Sequence, residues 1–198
     1  MSSVDLTALR VREATPVPVV YGRVQRPGTG GAALRVDRLG NRWAFEILTP
    51  PIAIEPEGRR WQAKFDDAER LGGLFSVFQP DFDVGTPGFG VTVAADTASG
   101  RTIAIAGATP RYAIRAGQWL SIIVDGQRYL DRTMEQVIVA SDGTASVRIK
   151  NLIRVPLSAG DVVELAEPKI EGTVEMRNPA AWGADRMTQF AFTVTEDA

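Results

Sequence analysis

The chain has 198 residues, with 22 basic residues against 24 acidic ones and neither Cys nor His. These counts exclude disulfides, thiol catalysis and thiolate metal sites, and they remove the commonest general base and transition-metal ligand. A net charge of −2, mixed along the chain, gives no field to hold nucleic acid, and no apolar run approaches the ~20 residues of a membrane span.

The N-terminal residues Met1 to Asp5 lack the basic and apolar regions of a signal peptide, so synthesis and folding in the cytoplasm are expected. Ser2 to Arg12 alternates loosely and fits either a short helix or an N-terminal strand. Pro16 and Pro18 impose an extended path. Val19 to Val24 is a predicted strand, Gly28-Thr29-Gly30-Gly31 a hairpin tip, and Ala33 to Arg38 a second alternating run. A turn at Leu39 to Arg42 leads into Trp43 to Leu48, where Trp43, Phe45 and Ile47 share one face. Glu55 to Leu71 reads as a helix. Pro56 suits its first turn, Glu55 and Glu57 suit the positive end of its dipole, and Trp61, Phe65 and Ala68 form one apolar stripe before Gly72-Gly73. Leu74 to Phe78 is a strand stopped by Pro80, and the turn-rich stretch Asp81 to Gly90 reads as a loop or domain boundary.

The stretch Tyr112 to Pro168 is a series of alternating runs cut by Asp125-Gly126 and Asp142-Gly143. Asp-Gly between such runs is a strong hairpin signal, since a type I′ turn needs φ > 0 at both central residues. A near-repeat, Ala116-Gly117-Gln118-Trp119 and Ala159-Gly160-Asp161-Val162, reads twice as a turn feeding a strand. Thr173 to Arg177 and Gln189 to Val194 close the chain as strands. The expected fold is mainly β. Residues 1–83 and 169–198 form a split β-sandwich or barrel domain with one α-helix, and residues 84–168 form an inserted small antiparallel β-barrel. The helix stripe should pack across strands carrying Trp43, Phe45, Phe75, Phe190 and Phe192.

Several residues invite a chemical reading, each beside a plainer one. Gly28 to Gly31 and Gly85 to Gly90 have neither the P-loop lysine nor the following helix of a phosphate-binding loop. Asp66, Asp67 and Glu69, with Asp81 and Asp83, could hold Ca²⁺ or Mg²⁺, but a solvated helix face accounts for the first three. Turn chemistry accounts for Asp125, Asp142 and Asp161. Ser158 with Lys150 or Lys169 has no spacing signature for nucleophilic chemistry. Trp43, Trp61 and Trp119 lie in apolar phase, whereas Trp182, in a loop, is the candidate exposed aromatic. Arg59-Arg60 and Arg23 to Arg26 are basic spots too isolated for a nucleic-acid footprint. No catalytic, cofactor-binding or metal-binding residue is assigned.

In layout and phrasing the chain resembles the distal tail and baseplate-hub proteins of long-tailed, siphovirus-like bacteriophages and prophages. The resemblance rests on Arg42-Trp43-Ala44-Phe45-Glu46-Ile47 followed by Thr49-Pro50-Pro51, a helix and Gly73-Leu74-Phe75. It continues through Ile114 to Leu120, Asp142-Gly143, Val155-Pro156-Leu157 and Ala159 to Val163, and ends at Phe190 to Val194. The resemblance implies a virion structural protein assembled in the host cytoplasm. Its β-sandwich would form a ring, a hexamer in such proteins, joining the tail tube to the baseplate hub or tail fibres. It implies no catalytic residues and no cofactor. The alternative is a carbohydrate-binding tail adhesin using Trp182 or the Asp125 hairpin tip. A carboxylate-based glycan hydrolase is the third class, without an identifiable acid/base pair.

Overall fold

The computed structural model describes residues 3–28, 30–178 and 184–197. The elements that matter below, in chain order, are β1 Val4–Asp5, β2 Glu13–Val19, β3 Arg23–Gln25, β4 Leu34–Val36, β5 Arg42–Leu48, α1 Arg59–Leu71 and β6 Gly73–Ser76. They continue with β7 Thr92–Val93, β8 Thr102–Ala106, β9 Trp119–Val124, β10 Gln127–Arg132, β11 Ala145–Arg148, β12 Val162–Glu164, β13 Lys169–Met176 and β14 Ala191–Glu196. Among the described residues the protein is mainly β with a single α-helix.

The first sheet has the order β1-β6-β13-β14-β5-β2, so its strands come from both ends of the chain. Only the β1–β6 pair is parallel. Period-two alternation sends Trp43, Phe45, Ile47, Phe75, Ile170, Val174, Phe192 and Val194 into one core. The stripe of α1 closes that core. Phe65 is 1% exposed, with its ring 4.7 Å from Phe192 and 5.0 Å from Phe190. The expected packing of Trp61, Phe65 and Ala68 against the aromatic strands is therefore what the structure contains.

Several boundaries differ from expectation, and two of the differences have a local reason. The helix begins at Arg59 rather than Glu55. Glu55 precedes Pro56, whose ring disfavours the helical region for its neighbour, and it is extended at φ −115°, ψ 132°. One wide turn over Ile54–Gly58 bridges the gap, with the Arg59 N–H donating to the Ile54 carbonyl. The expected strand Val19 to Val24 is broken at Val20-Tyr21-Gly22. There the Tyr21 N–H donates to Asn41 Oδ1 at 2.8 Å instead of to a neighbouring strand. The prolines instead lie within β2, which is an edge strand, the one place in a sheet where missing donors are tolerated.

The second sheet has the order β10-β9-β12-β7-β8-β11. Its outer strands meet, because Thr133 bridges Ile149, the Met134 N–H donates to the Arg148 carbonyl and the Lys150 N–H to the Arg132 carbonyl. The sheet thus curls into a small antiparallel barrel filled by Val93, Ile103, Ile105, Ile122, Val147 and Val163, among others. The β9–β10 turn has both Asp125 (φ 51°) and Gly126 (φ 82°) in the left-handed region, as the Asp-Gly signal requires. At the second pair only Gly143 does, with φ 80°. The Gly143 N–H donates to the Ala140 carbonyl and the Ala140 N–H to the Thr144 carbonyl. These bonds describe a three-residue loop with a glycine bulge rather than a two-residue turn. No helix among the described residues is long and apolar enough to cross a membrane.

Candidate interaction site

Charge meets aromatic side chains at several places, and two of them are the seam between the sheets and the ribbon joining β2 to β5. At the seam, Trp119 and Leu130 of the barrel wall belong to the core of the first sheet. The Trp43 and Trp119 rings meet edge to face at 4.7 Å. Glu196, at the end of β14, is fully buried. It accepts the Trp43 N–H at 3.2 Å and the Leu130 N–H at 2.6 Å, and pairs with Arg154. Asp131 accepts the Arg132 N–H at 2.7 Å, the Asn151 N–H at 3.1 Å and Trp43 Nε1 at 3.4 Å. Burial pushes both carboxyls above their ordinary range. Lys150 Nζ stands 3.8 Å from the Trp43 ring centroid, and burial, then Arg132, lowers its pKa.

A second cluster lies further along the seam. Glu164 accepts Ser121 Oγ at 2.6 Å, Arg128 Nε at 3.1 Å and Lys169 Nζ at 3.3 Å. Glu171 accepts Ser3 Oγ at 2.7 Å and pairs with Arg128 at 3.5 Å. Burial alone would raise Glu164, but the Ser121 and Arg128 hydrogen bonds outweigh it and hold the carboxyl below its ordinary value. The carboxylates all find partners inside the chain, while Arg154 Nη1 and Asn151 Nδ2 are buried without a hydrogen-bond partner among the described residues. These contacts fix the barrel on the sheet.

The ribbon is different. β3 and β4 pair only with each other, with Arg23 opposite Val36 and Gln25 opposite Leu34. Val20, Tyr21, Val24, Leu34 and Leu39 are all 46–60% exposed. Residues 20–42 contain five Arg, one Asp, and neither Lys nor Glu. Arg42 Nη2 donates to Tyr21 Oη at 2.8 Å and its guanidinium lies 5.5 Å from that ring. At the base, Asp37 pairs with Arg101 of the barrel beside a cleft of about 400 Å³ lined also by Arg23, Lys150 and Asn151.

The chemical candidates from the sequence do not converge. Asp66, Asp67, Glu69, Asp81 and Asp83 are exposed, and no group of three or more carboxylates among the described residues could hold a metal ion. Asp142 accepts the Thr144 N–H at 3.0 Å and Asp161 the Ser158 N–H at 2.7 Å, as turn residues do. Lys150 sits over Trp43 and Lys169 pairs with Glu164, so neither is joined to Ser158. Trp182 lies outside the described residues. Sequence reading expected this hairpin, with its tip at Gly28 to Gly31 and a basic spot at Arg23 to Arg26, but not the surface its exposed side chains form, because residues separated in the chain are brought together only by β3–β4 pairing. It also missed Glu196, although a signal was there: this acid continues the inward phase of Phe192 and Val194. No family model matches the chain, and no curated protein matches it in sequence.

Proposed function

We propose that the chain is a structural, non-enzymatic component of a bacteriophage tail tip, of the distal tail type. It forms a ring, a hexamer in the proteins it resembles, that joins the tail tube to the baseplate hub. The observation that carries this reading is the ribbon. A subunit that buries its aromatic core this thoroughly leaves Val24 and Leu34 exposed on the paired strands of the ribbon, and Val20, Tyr21 and Leu39 exposed in the segments that lead into and out of it. Isolated two-stranded ribbons are marginal in water, and clustered apolar exposure marks interaction surfaces. Supporting it is the layout on which the resemblance rests, a sheet from both chain ends carrying a small barrel between them.

Ring contacts made through free sheet edges fit the subunit poorly. The barrel closes on itself, β1 is two residues long and β2 carries two prolines. Contacts between subunits therefore fall to side-chain surfaces. The test is electron microscopy of the pure protein and of the protein mixed with tail tubes. Class averages with rotational symmetry, and rings capping tube ends, are expected. Single compact particles that ignore the tubes would contradict the proposal.

A further inference from the structure

We propose that the cleft between the ribbon and the barrel binds the phosphate group of a small phosphate monoester, held by Arg23 from the ribbon and by Lys150 and Asn151 from the barrel. The proposal concerns the single subunit and does not rest on the ring.

The cleft lies where two parts of the fold meet. Arg23 belongs to β3 and Asp37 follows β4, whereas Arg101, Lys150 and Asn151 flank the paired strands β8 and β11 of the barrel. Small-molecule sites favour such junctions, and a volume of about 400 Å³ lies in the range of small-molecule pockets.

Its lining carries three cations against one carboxylate. Asp37 is paired with Arg101, but Arg23 and Lys150 make no ion pair among the described residues. Lys150 shares the Trp43 ring with a like charge, since the Arg132 guanidinium lies 5.2 Å from the same centroid. Burial, then Arg132, lowers the Lys150 pKa, with Asp131 offsetting them in part, so an anion in the cleft would stabilise the charged amine. A cleft lined mostly by one sign of charge also concentrates the opposite ion. Asn151, 7% exposed, lines the same cleft, and its Nδ2 is buried with no acceptor among the described residues. Leaving a buried donor unpaired is costly, and rotation of the amide toward a ligand oxygen removes that cost.

A phosphate suits this donor set better than a carboxylate. A planar carboxylate is matched by one guanidinium through two parallel bonds, whereas a guanidinium, an ammonium and an amide on separate segments suit the several oxygens of a tetrahedral group. Asp37 gives the site its second requirement. Arg101 takes its Oδ2, which leaves Oδ1 to accept a hydroxyl of the ester and disfavours a second anionic group. Val20 and Val24, both exposed, add apolar surface to the lining. A nucleic-acid strand is disfavoured, because a net charge of −2 gives little attraction for a long run of phosphates.

The experiment is isothermal titration calorimetry of the full chain with glucose 6-phosphate, inorganic phosphate, acetate and glucose. Glucose 6-phosphate should bind saturably and more tightly than inorganic phosphate, with acetate and glucose weaker than the ester by about tenfold or more. Arg23→Gln and Lys150→Gln should each weaken the ester by about tenfold or more. Arg70→Gln, the same charge change on the exposed side of α1, should leave it unchanged. Circular dichroism and melting temperature confirm folding, and Arg23→Gln, at an exposed side chain, decides the matter if Lys150→Gln does not fold. No saturable binding at millimolar ester, acetate or inorganic phosphate binding as tightly as the ester, or an affinity unchanged in Arg23→Gln overturns the proposal. Single-stranded DNA that binds more tightly than the ester and is lost in Arg23→Gln marks a nucleic-acid surface and overturns it too. Because binding is read per subunit, none of these results bears on the ring.

Discussion

Glu196 shows how one side chain holds two sheets together. It ends a strand of the first sheet, yet it accepts a backbone donor from β10 and pairs with Arg154, both in the barrel. Glu196→Ala would leave that guanidinium buried without its counter-charge. A loss of about 3–5 kcal/mol in unfolding free energy is expected, read by chemical denaturation. Glu164 predicts a pH dependence. Its carboxyl is held below the ordinary value of 4.5, so its contribution is present above that value and is lost as pH falls through the lower, folded-state value. The melting temperature of Glu164→Gln should therefore lie below wild type at pH 7, and the gap should close in acid. A gap independent of pH would show that the carboxylate charge contributes nothing there. Asp131 and Glu196 act in the opposite sense, since burial raises both. The comparison must therefore be the difference between the two proteins and not the wild-type curve alone.

At the scale of elements, the helix stripe and the Asp-Gly turns make separable predictions. Phe65 is enclosed by Phe190 and Phe192, whereas Trp61 sits at the edge of the core with Lys64 over its ring at 4.7 Å. Phe65→Ala should cost about 3–5 kcal/mol, and Trp61→Ala less, by thermal or denaturant unfolding. A Cβ on Gly143 would come within 2.8 Å of the Ala108 carbonyl oxygen, while one on Gly126 meets nothing within 4 Å. Both glycines have positive φ, so Gly126→Ala should lose about 1 kcal/mol from backbone strain and Gly143→Ala clearly more. Equal losses would contradict the close approach at Ala108. Periodicity made these elements legible: the Trp43 strand, the α1 stripe and the Asp125-Gly126 turn all follow from local pattern. What failed was local pattern overridden by backbone chemistry. Pro56 delayed the helix, and a carbonyl-bound bulge replaced the second two-residue turn. The seam was illegible except at Glu196, because Asp131, Glu164 and Arg128 become partners only through long-range pairing. The ribbon's charge was legible as residues but not as a surface.

At the scale of the whole molecule, closed or blunted sheet edges are combined with an exposed two-stranded ribbon. The barrel has joined its outer strands, and the first sheet ends in a two-residue strand on one side and a proline-bearing strand on the other. Such edges resist indiscriminate pairing, so the association proposed above would use side-chain surfaces. The ribbon, with its exposed Val20, Tyr21, Val24, Leu34 and Leu39, is the most conspicuous of these. A ring adaptor needs that combination: a subunit rigid enough to hold one rotation angle, and a contact that links each copy to the next. The direct measurement is the solution mass of the purified protein over a wide concentration range, by light scattering. The account predicts a closed species of defined size, six times the 21.4 kDa chain mass if the ring is hexameric, that stops growing as concentration rises. A 21.4 kDa monomer at every concentration, with no assembly on tail tubes or hubs, would contradict it.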